Sequence, residues 1–346
     1  ADVLAERLSG RPGVILCGEL PATPGFAPAI ATLAERLGAP ILAEPLANLR
    51  HGPHDRSHIL THQARFLRRP AAFKPAWLLR FGRFPVSRVL ERWLAGLDEC
   101  EHILVAPPGL WPDPLWRSGT LVRATPQAAV EGLLAQPLAA PPAAWFDGWR
   151  GAETEAREPA GFFEGTVARA LMEALPAGGH CFVGNSLAIR AMDAFGGTSA
   201  KTLTLHGNRG ASGIDGNVAT AAGIATASGA PTAVLLGDQA ALHDLGGLVA
   251  LAGRNIVAVV VDNGGGGIFE HLPLAKTLPG PLLERGWLAP PNVDFGALAA
   301  AFGLGYAEAT DATQLATELA RAFAAGGSRL LRVVIDRATS RSAFGG

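Results

Sequence analysis

Cysteine is scarce in this 346-residue chain: Cys17, Cys100 and Cys181 are the only three, far apart and odd in number. That argues against a disulfide framework and a cysteine-based zinc site, and it fits a reducing, cytoplasmic setting. Charge is sparse too. Charged residues make up 17% of the chain, against about 25% in an average soluble protein, and 29 Lys+Arg against 30 Asp+Glu leave a net charge of −1. This excludes the basic footprint of a nucleic-acid binder. Apolar residues reach 49%, yet no apolar run approaches the ~18–20 residues of a membrane span. The chain opens on ADVLAERLSG, with no Met, no basic segment and no long apolar stretch. That is no secretory signal; it reads as a helix leading into a buried strand, so the chain is expected to start inside a larger architecture.

What the sequence has is strand–helix alternation. Short apolar runs at 14–18, 40–43, 77–81, 102–106 and 120–123 read as buried strands, and periodic segments at 26–37, 87–97 and 126–135 as helices. Ser87 is a candidate N-cap. Residues 50–69 are polar and His-rich without a stable period and read as a surface segment. Residues 137–159, PLAAPPAAW and then a charged stretch, read as a linker in which Trp145 and Trp149 serve as docking residues. Alternation resumes with strands at 180–184, 202–206, 232–236, 256–262 and 330–335, and helices at 162–175, 187–195, 214–228, 240–252, 295–302 and 312–324. Alternation of this kind predicts an α/β fold of two doubly wound parallel-sheet domains, 1–137 and 160–346, joined by 138–159.

Chemistry concentrates in 237–269. Asp238 and Asn263 each stand at the carboxyl end of a predicted parallel strand, where open α/β sheets place ligands. A carboxylate, an amide oxygen and a carbonyl from the glycine run 264–267 form an all-oxygen set suited to Mg²⁺. Free N–H groups of that run and of the helix start at Gln239 are expected to cradle a diphosphate. Alone, an Asp at a strand end is often only an N-cap, and a glycine run after a strand is equally a nucleotide-binding turn. GGGG lacks the GxGxxG spacing, so a Rossmann nucleotide binder is the weakest alternative. His54, His58 and His62 share a helical spacing, but no carboxylate frames them; they read as surface residues rather than a zinc site.

GD followed 25 residues later by an Asn heading a glycine loop resembles the motif of thiamine diphosphate enzymes. Gln239 and Asp262 depart from its usual GDG and NN. GNSLAIR at 184–190, NRGASGIDG at 208–216, GDQAALHDLGGL and DNGGGGIFEHLP resemble one branch, the 2-succinyl-5-enolpyruvyl-6-hydroxy-3-cyclohexene-1-carboxylate synthases of menaquinone biosynthesis. RFGRFPVSRVLERWL resembles a central-domain segment of that branch, with Arg88 where Lys is usual. The resemblance implies a transferase that holds thiamine diphosphate and Mg²⁺ or Mn²⁺ and joins 2-oxoglutarate to isochorismate. It implies metal ligands at Asp238, Asn263 and the Gly265 carbonyl, and cofactor contacts at Gly213, Ile214, Gly237, Gln239, Ala240, Gly266 and Ile268. It implies substrate contacts at Ser186, Arg190, Arg209, Arg88, Phe269 and Leu272, with the arginines suited to dicarboxylates through their bidentate fork.

The same resemblance implies three domains in the order pyrimidine-binding, central and diphosphate-binding, of which this chain matches the last two. The first, which carries the Glu that activates the cofactor, is expected to be absent here and supplied in cis or in trans. The chain alone is expected to bind cofactor weakly and to be inactive, and the full enzyme to be a homodimer or homotetramer. The alternatives are another thiamine diphosphate-dependent 2-oxoacid decarboxylase or carboligase, and a non-catalytic fragment.

Overall fold

The computed structural model describes residues 1–68, 73–156 and 158–345. The chain divides into two compact units: Ala1–Arg157 with Gly197–Ala200, and Glu158–Gly196 with Lys201–Gly346. Each is built on one six-stranded sheet, parallel at every pairing. The expected pair of α/β folds is therefore present.

In the first unit the strands are β1 (Gly13–Cys17), β2 (Ile41–Ala43), β3 (Ile59–Leu60), β4 (Trp77–Phe81), β5 (Glu101–Ala106) and β6 (Thr120–Arg123), in the order β3-β2-β1-β4-β5-β6. β1 and β4 are buried along their whole length, as expected of strands covered on both faces. Arg80, inside β4, keeps its charge by pairing with buried Asp113 at 3.1 Å. The chain reverses its winding between β1 and β4. There Gly18 lies so close to the Arg83 carbonyl that a Cβ would fall on it, and a Cβ at Gly82 would stand 2.5 Å from the Glu19 carbonyl oxygen. The backbones after the two strands thus touch. Ser87 caps the helix Arg88–Ala95 by accepting from the Leu90 N–H.

Two segments differ from expectation. Residues 50–68 are not a surface stretch: β3 forms there, and Arg50, His51, Thr61 and Gln63 are buried. A two-residue edge strand is too short to leave a periodic signal, and its polar neighbours are satisfied individually. Arg50 Nε donates to the Ala43 carbonyl at the end of β2 (2.7 Å), His58 stacks on Phe146 at 4.0 Å between ring centroids, and His62 pairs with Glu153 at 2.9 Å. Among the described residues no cluster of three His, Cys, Asp or Glu is placed to hold a metal. Arg69, the last residue of that segment, lies outside the described residues. The second difference is in 138–159, where the structure has a helix, Ala144–Glu155. Trp145 and Trp149, one turn apart on it, pack on one another, and Trp149 is fully buried against Phe66, Phe73 and Trp93. Arg157, near the end of the same stretch, also lies outside the described residues.

The second unit holds β7 (His180–Val183), β8 (Thr204–His206), β9 (Thr232–Gly237), β10 (Ile256–Asp262), β11 (Gly305–Ala309) and β12 (Arg329–Val334), in the order β11-β12-β10-β9-β7-β8. β11 was not foreseen, because an edge strand half open to solvent carries no continuous apolar run. Here the winding reverses between β7 and β9. The helices Glu164–Ala174, Leu187–Phe195, Asn217–Ser228 and Asp238–His243 follow or precede the central strands. No helix of the described residues is long and apolar enough to cross a membrane.

Candidate functional site

At the carboxyl ends of β7, β9 and β10, where the second sheet reverses its winding, the structure has a cavity of about 220 Å³. Crevices of this kind are where doubly wound sheets take ligands. Three strand ends build it. From β9 come Gly237, Asp238, Gln239 and Ala240; after β10 come Asn263, Gly265, Gly266, Ile268 and Phe269; after β7 comes Ser186, with Ile214 from the loop before the helix Asn217–Ser228. Eleven of the residues expected from the sequence are thus gathered in one place.

Asp238 is 1% exposed. Its Oδ1 accepts from the Gln239 N–H (2.7 Å) and its Oδ2 from the Gly265 N–H (2.6 Å), and no cation of the described residues faces it. Burial pushes its pKa well above the usual carboxylate range, the two N–H bonds offset only part of this, and nearby Asp262 pushes it further up. Asp262 itself is held by Arg332, whose Nη2 and Nε donate to Oδ2 at 2.6 and 2.8 Å. Asn263 spends its Nδ2 on Glu164 Oε1 (2.9 Å), while its Oδ1 is buried with no partner. A buried carboxylate without a counter-charge and a buried amide oxygen without a donor, on adjacent strand ends, fit a hard divalent cation.

The glycine run has a different reason from the one expected. Its N–H groups are not free: Gly264 donates to Asp262 Oδ1 (3.1 Å), Gly265 to Asp238, Gly266 to the Leu288 carbonyl (2.6 Å) and Gly267 to the Gly265 carbonyl (2.8 Å). The Gln239 N–H is likewise taken by its neighbour Asp238. The glycines are needed for space. Gly265 adopts φ +117°, and a Cβ there would fall on the Leu288 carbonyl; one at Gly266 would stand 2.8 Å from the Trp287 carbonyl oxygen. The segment 287–289 closes over the run, and Gln239 Nε2 donates to the Ala289 carbonyl.

Ser186 has φ +67° and ψ −130° and makes no capping bond to the helix that follows it. A serine held in that region stores strain, and such strain clusters where a side chain or backbone must face a ligand. At Gly184, two residues earlier, a Cβ would stand 2.7 Å from the Leu236 side chain and 3.0 Å from the Leu235 carbonyl oxygen. Arg190 Nη1 donates to the Ser186 carbonyl (2.7 Å) and Arg209 Nη1 to Asn185 Oδ1, while Asn185 Nδ2 ties the turn to the carbonyls of Asn208 and Gly213. Arg190, Arg209 and Gly213 therefore attach to the 185–186 turn without lining the cavity. Phe269 lines it edge-on to Trp287, with ring centroids 5.3 Å apart. Leu272 and Arg88 are not among its lining residues; Arg88 belongs to the first unit, where it opens the helix Arg88–Ala95 on an exposed face.

Glu164, Trp287 and Ala289 are among the lining residues that were not expected. Glu164 had a signal: with Val167, Ala168 and Leu171 it falls on the i, i+3, i+4, i+7 stripe of its helix, so a carboxylate sits on a buried face. Trp287 and Ala289 had none, because the segment that carries them consists of short irregular turns.

Residues 188–333 match the family model described as thiamine pyrophosphate enzyme, C-terminal TPP binding domain. The chain is also 44% identical over 333 residues, 95% of its own length, to the 2-succinyl-5-enolpyruvyl-6-hydroxy-3-cyclohexene-1-carboxylate synthase of Dechloromonas aromatica. It is 35% identical over 313 residues to the synthase of the same name from Bacillus velezensis, and 35% over 340 residues to that from Myxococcus xanthus, covering 87% and 94% of this chain. The chain spans only 60%, 54% and 57% of the length of these three relatives. Over nearly all of its own length this chain is similar to those synthases, and residues 188–333, nearly all of them in its second unit, match the C-terminal TPP binding domain of thiamine pyrophosphate enzymes.

Proposed function

We propose that the second unit holds Mg²⁺ and thiamine diphosphate at its switch point, and that the chain is the central and diphosphate-binding part of a 2-succinyl-5-enolpyruvyl-6-hydroxy-3-cyclohexene-1-carboxylate synthase. The observation that carries this reading is the pairing of Asp238, buried with no facing cation, with Asn263, whose Oδ1 has no donor, inside the matched domain. Asp238, Asn263 and the Gly265 carbonyl hold the metal, and Mn²⁺ substitutes for it. Gly237, Gln239, Ala240, Gly266 and Ile268 shape the wall against the cofactor, with Ile214 opposite and Gly213 behind it.

When bound, the cofactor would supply the chemistry for decarboxylating a 2-oxo acid and transferring its acyl remainder, in this reading from 2-oxoglutarate to isochorismate. The protein's part is to bind, orient and exclude water. Ser186 presents its hydroxyl from a strained turn toward the reacting end of the cavity. Arg190 and Arg209, anchored to that turn, take the carboxylates of the two dicarboxylate substrates. Phe269 and Leu272 give an apolar wall for the ring. A pyrimidine-binding domain, in cis or in trans, completes the active enzyme, which assembles as a homo-oligomer and works in the cytoplasm.

Calorimetric titration of the chain with thiamine diphosphate at saturating Mg²⁺ tests the reading. Binding is expected for the parent, with Asp238→Ala lowering affinity at least tenfold, the loss of about 1.4 kcal/mol. Equal affinity in the two proteins would sink it.

A further inference from the structure

Glu164 is a buried carboxylate of the second unit whose side chain touches Asn263 of the cation site, and nothing in the reading above uses it. It opens the helix Glu164–Ala174, 99 residues before Asn263, and is 3% exposed. Its place is fixed by packing: a Cβ at Gly165 would stand 2.5 Å from the Phe163 ring and 2.6 Å from that of Phe195, and these two rings meet edge-on at 5.0 Å between centroids. The first turn of a helix also favours a negative charge.

An asparagine amide is ambiguous toward a cation. Turned one way it offers an oxygen; turned the other it offers two N–H donors, which repel. A carboxylate beside it removes the ambiguity, because it can only accept. Glu164 Oε1 accepts from Asn263 Nδ2 at 2.9 Å, which leaves Asn263 Oδ1 turned away from Glu164, buried and unpartnered. From the other side Gly267 confines the amide: a Cβ there would stand 2.8 Å from Nδ2. Both Glu164 and Asn263 line the same cavity as Asp238.

We infer that Glu164 is a positioning residue, which sets the amide of Asn263 with its oxygen toward the cation and strengthens that oxygen as a ligand through a charge-assisted hydrogen bond. The inference rests on the cation reading given above. It is tested by titrating the chain with Mn²⁺ in the presence of thiamine diphosphate, following free Mn²⁺ by electron paramagnetic resonance, with thermal melting in the absence of metal recorded alongside. Glu164→Ala is expected to weaken Mn²⁺ binding by roughly 10–100-fold. Glu164→Gln keeps an acceptor oxygen of the same reach, and its loss is expected to lie between threefold and that of Glu164→Ala, with its melting close to the parent's. A Glu164→Ala affinity within twofold of the parent overturns the inference, as does a Glu164→Gln as weak as Glu164→Ala. Should Glu164→Ala not fold, Glu164→Gln decides alone: a loss of threefold or more supports positioning, and less overturns it. Asp238→Ala separates the two levels. If it binds Mn²⁺ like the parent, the cation reading fails; if it abolishes binding while the Glu164 variants bind normally, the cation reading stands and the role of Glu164 falls.

Discussion

The two sheets are wound in the same way, each reversing direction about a central strand, but what stands at the reversal differs. In the first unit the backbones after β1 and β4 lie against one another, with no room for a Cβ at Gly18 or Gly82. In the second, a Cβ at Gly237 would meet nothing within 4 Å, and a cavity opens beside it. Arg80 and Asp113 neutralise one another inside the first unit, whereas in the cavity at the second switch point Asn263 Oδ1 and Glu164 Oε2 lack partners. A doubly wound sheet therefore offers a crevice by topology, but whether it becomes a site depends on whether its strand-end loops stand apart.

That contrast can be broken by substitution. The largest effect is expected from Gly18→Ala: its Cβ would fall on the Arg83 carbonyl, and overpacking against backbone should cost about 3 kcal/mol in urea unfolding. A cost below about 1 kcal/mol would mean that the first crevice can open. Next comes Asn217→Leu. Asn217 is fully buried and neither side-chain polar atom has a partner, so an apolar side chain of similar volume should raise stability by about 1–2 kcal/mol in the same measurement. A loss would show that the amide is in use. The smallest effect on folding is expected from Gly237→Ala. With φ −82°, ψ 163° and open space in front of it, alanine should change stability by no more than ~0.5 kcal/mol. Its methyl projects toward the cavity, so affinity for thiamine diphosphate, read by calorimetry, should still fall several-fold. Unchanged affinity would place the cofactor away from β9.

Much of this was legible beforehand for a physical reason. Strands buried on both faces, such as Ile256–Asp262, announce themselves as apolar runs, and Asp238 and Asn263 are polar residues that end such runs. What escaped was structure without a period. β3 is two residues long, β11 alternates at a sheet edge, and the helix Ala144–Glu155, whose one buried residue is Trp149, hides in a Pro-rich and then charged stretch. The resemblance carried the candidate residues further than the residues did alone. It placed Ser186 and Phe269 at the cavity, and physical reading of Glu164 on an apolar helical stripe would have added the partner of Asn263.

The glycine run 264–267 has a consequence for how a ligand is received. Each of its four amides is already bonded inside the protein, to Asp262, Asp238, Leu288 and Gly265. A loop of four glycines left free would have to be ordered by whatever binds it, at roughly 1–2 kcal/mol of backbone entropy per residue. Here that ordering is completed during folding, so the arriving ligand meets a rigid wall, and the affinity of its contacts is not diluted by the cost of stiffening the most flexible residues in the chain.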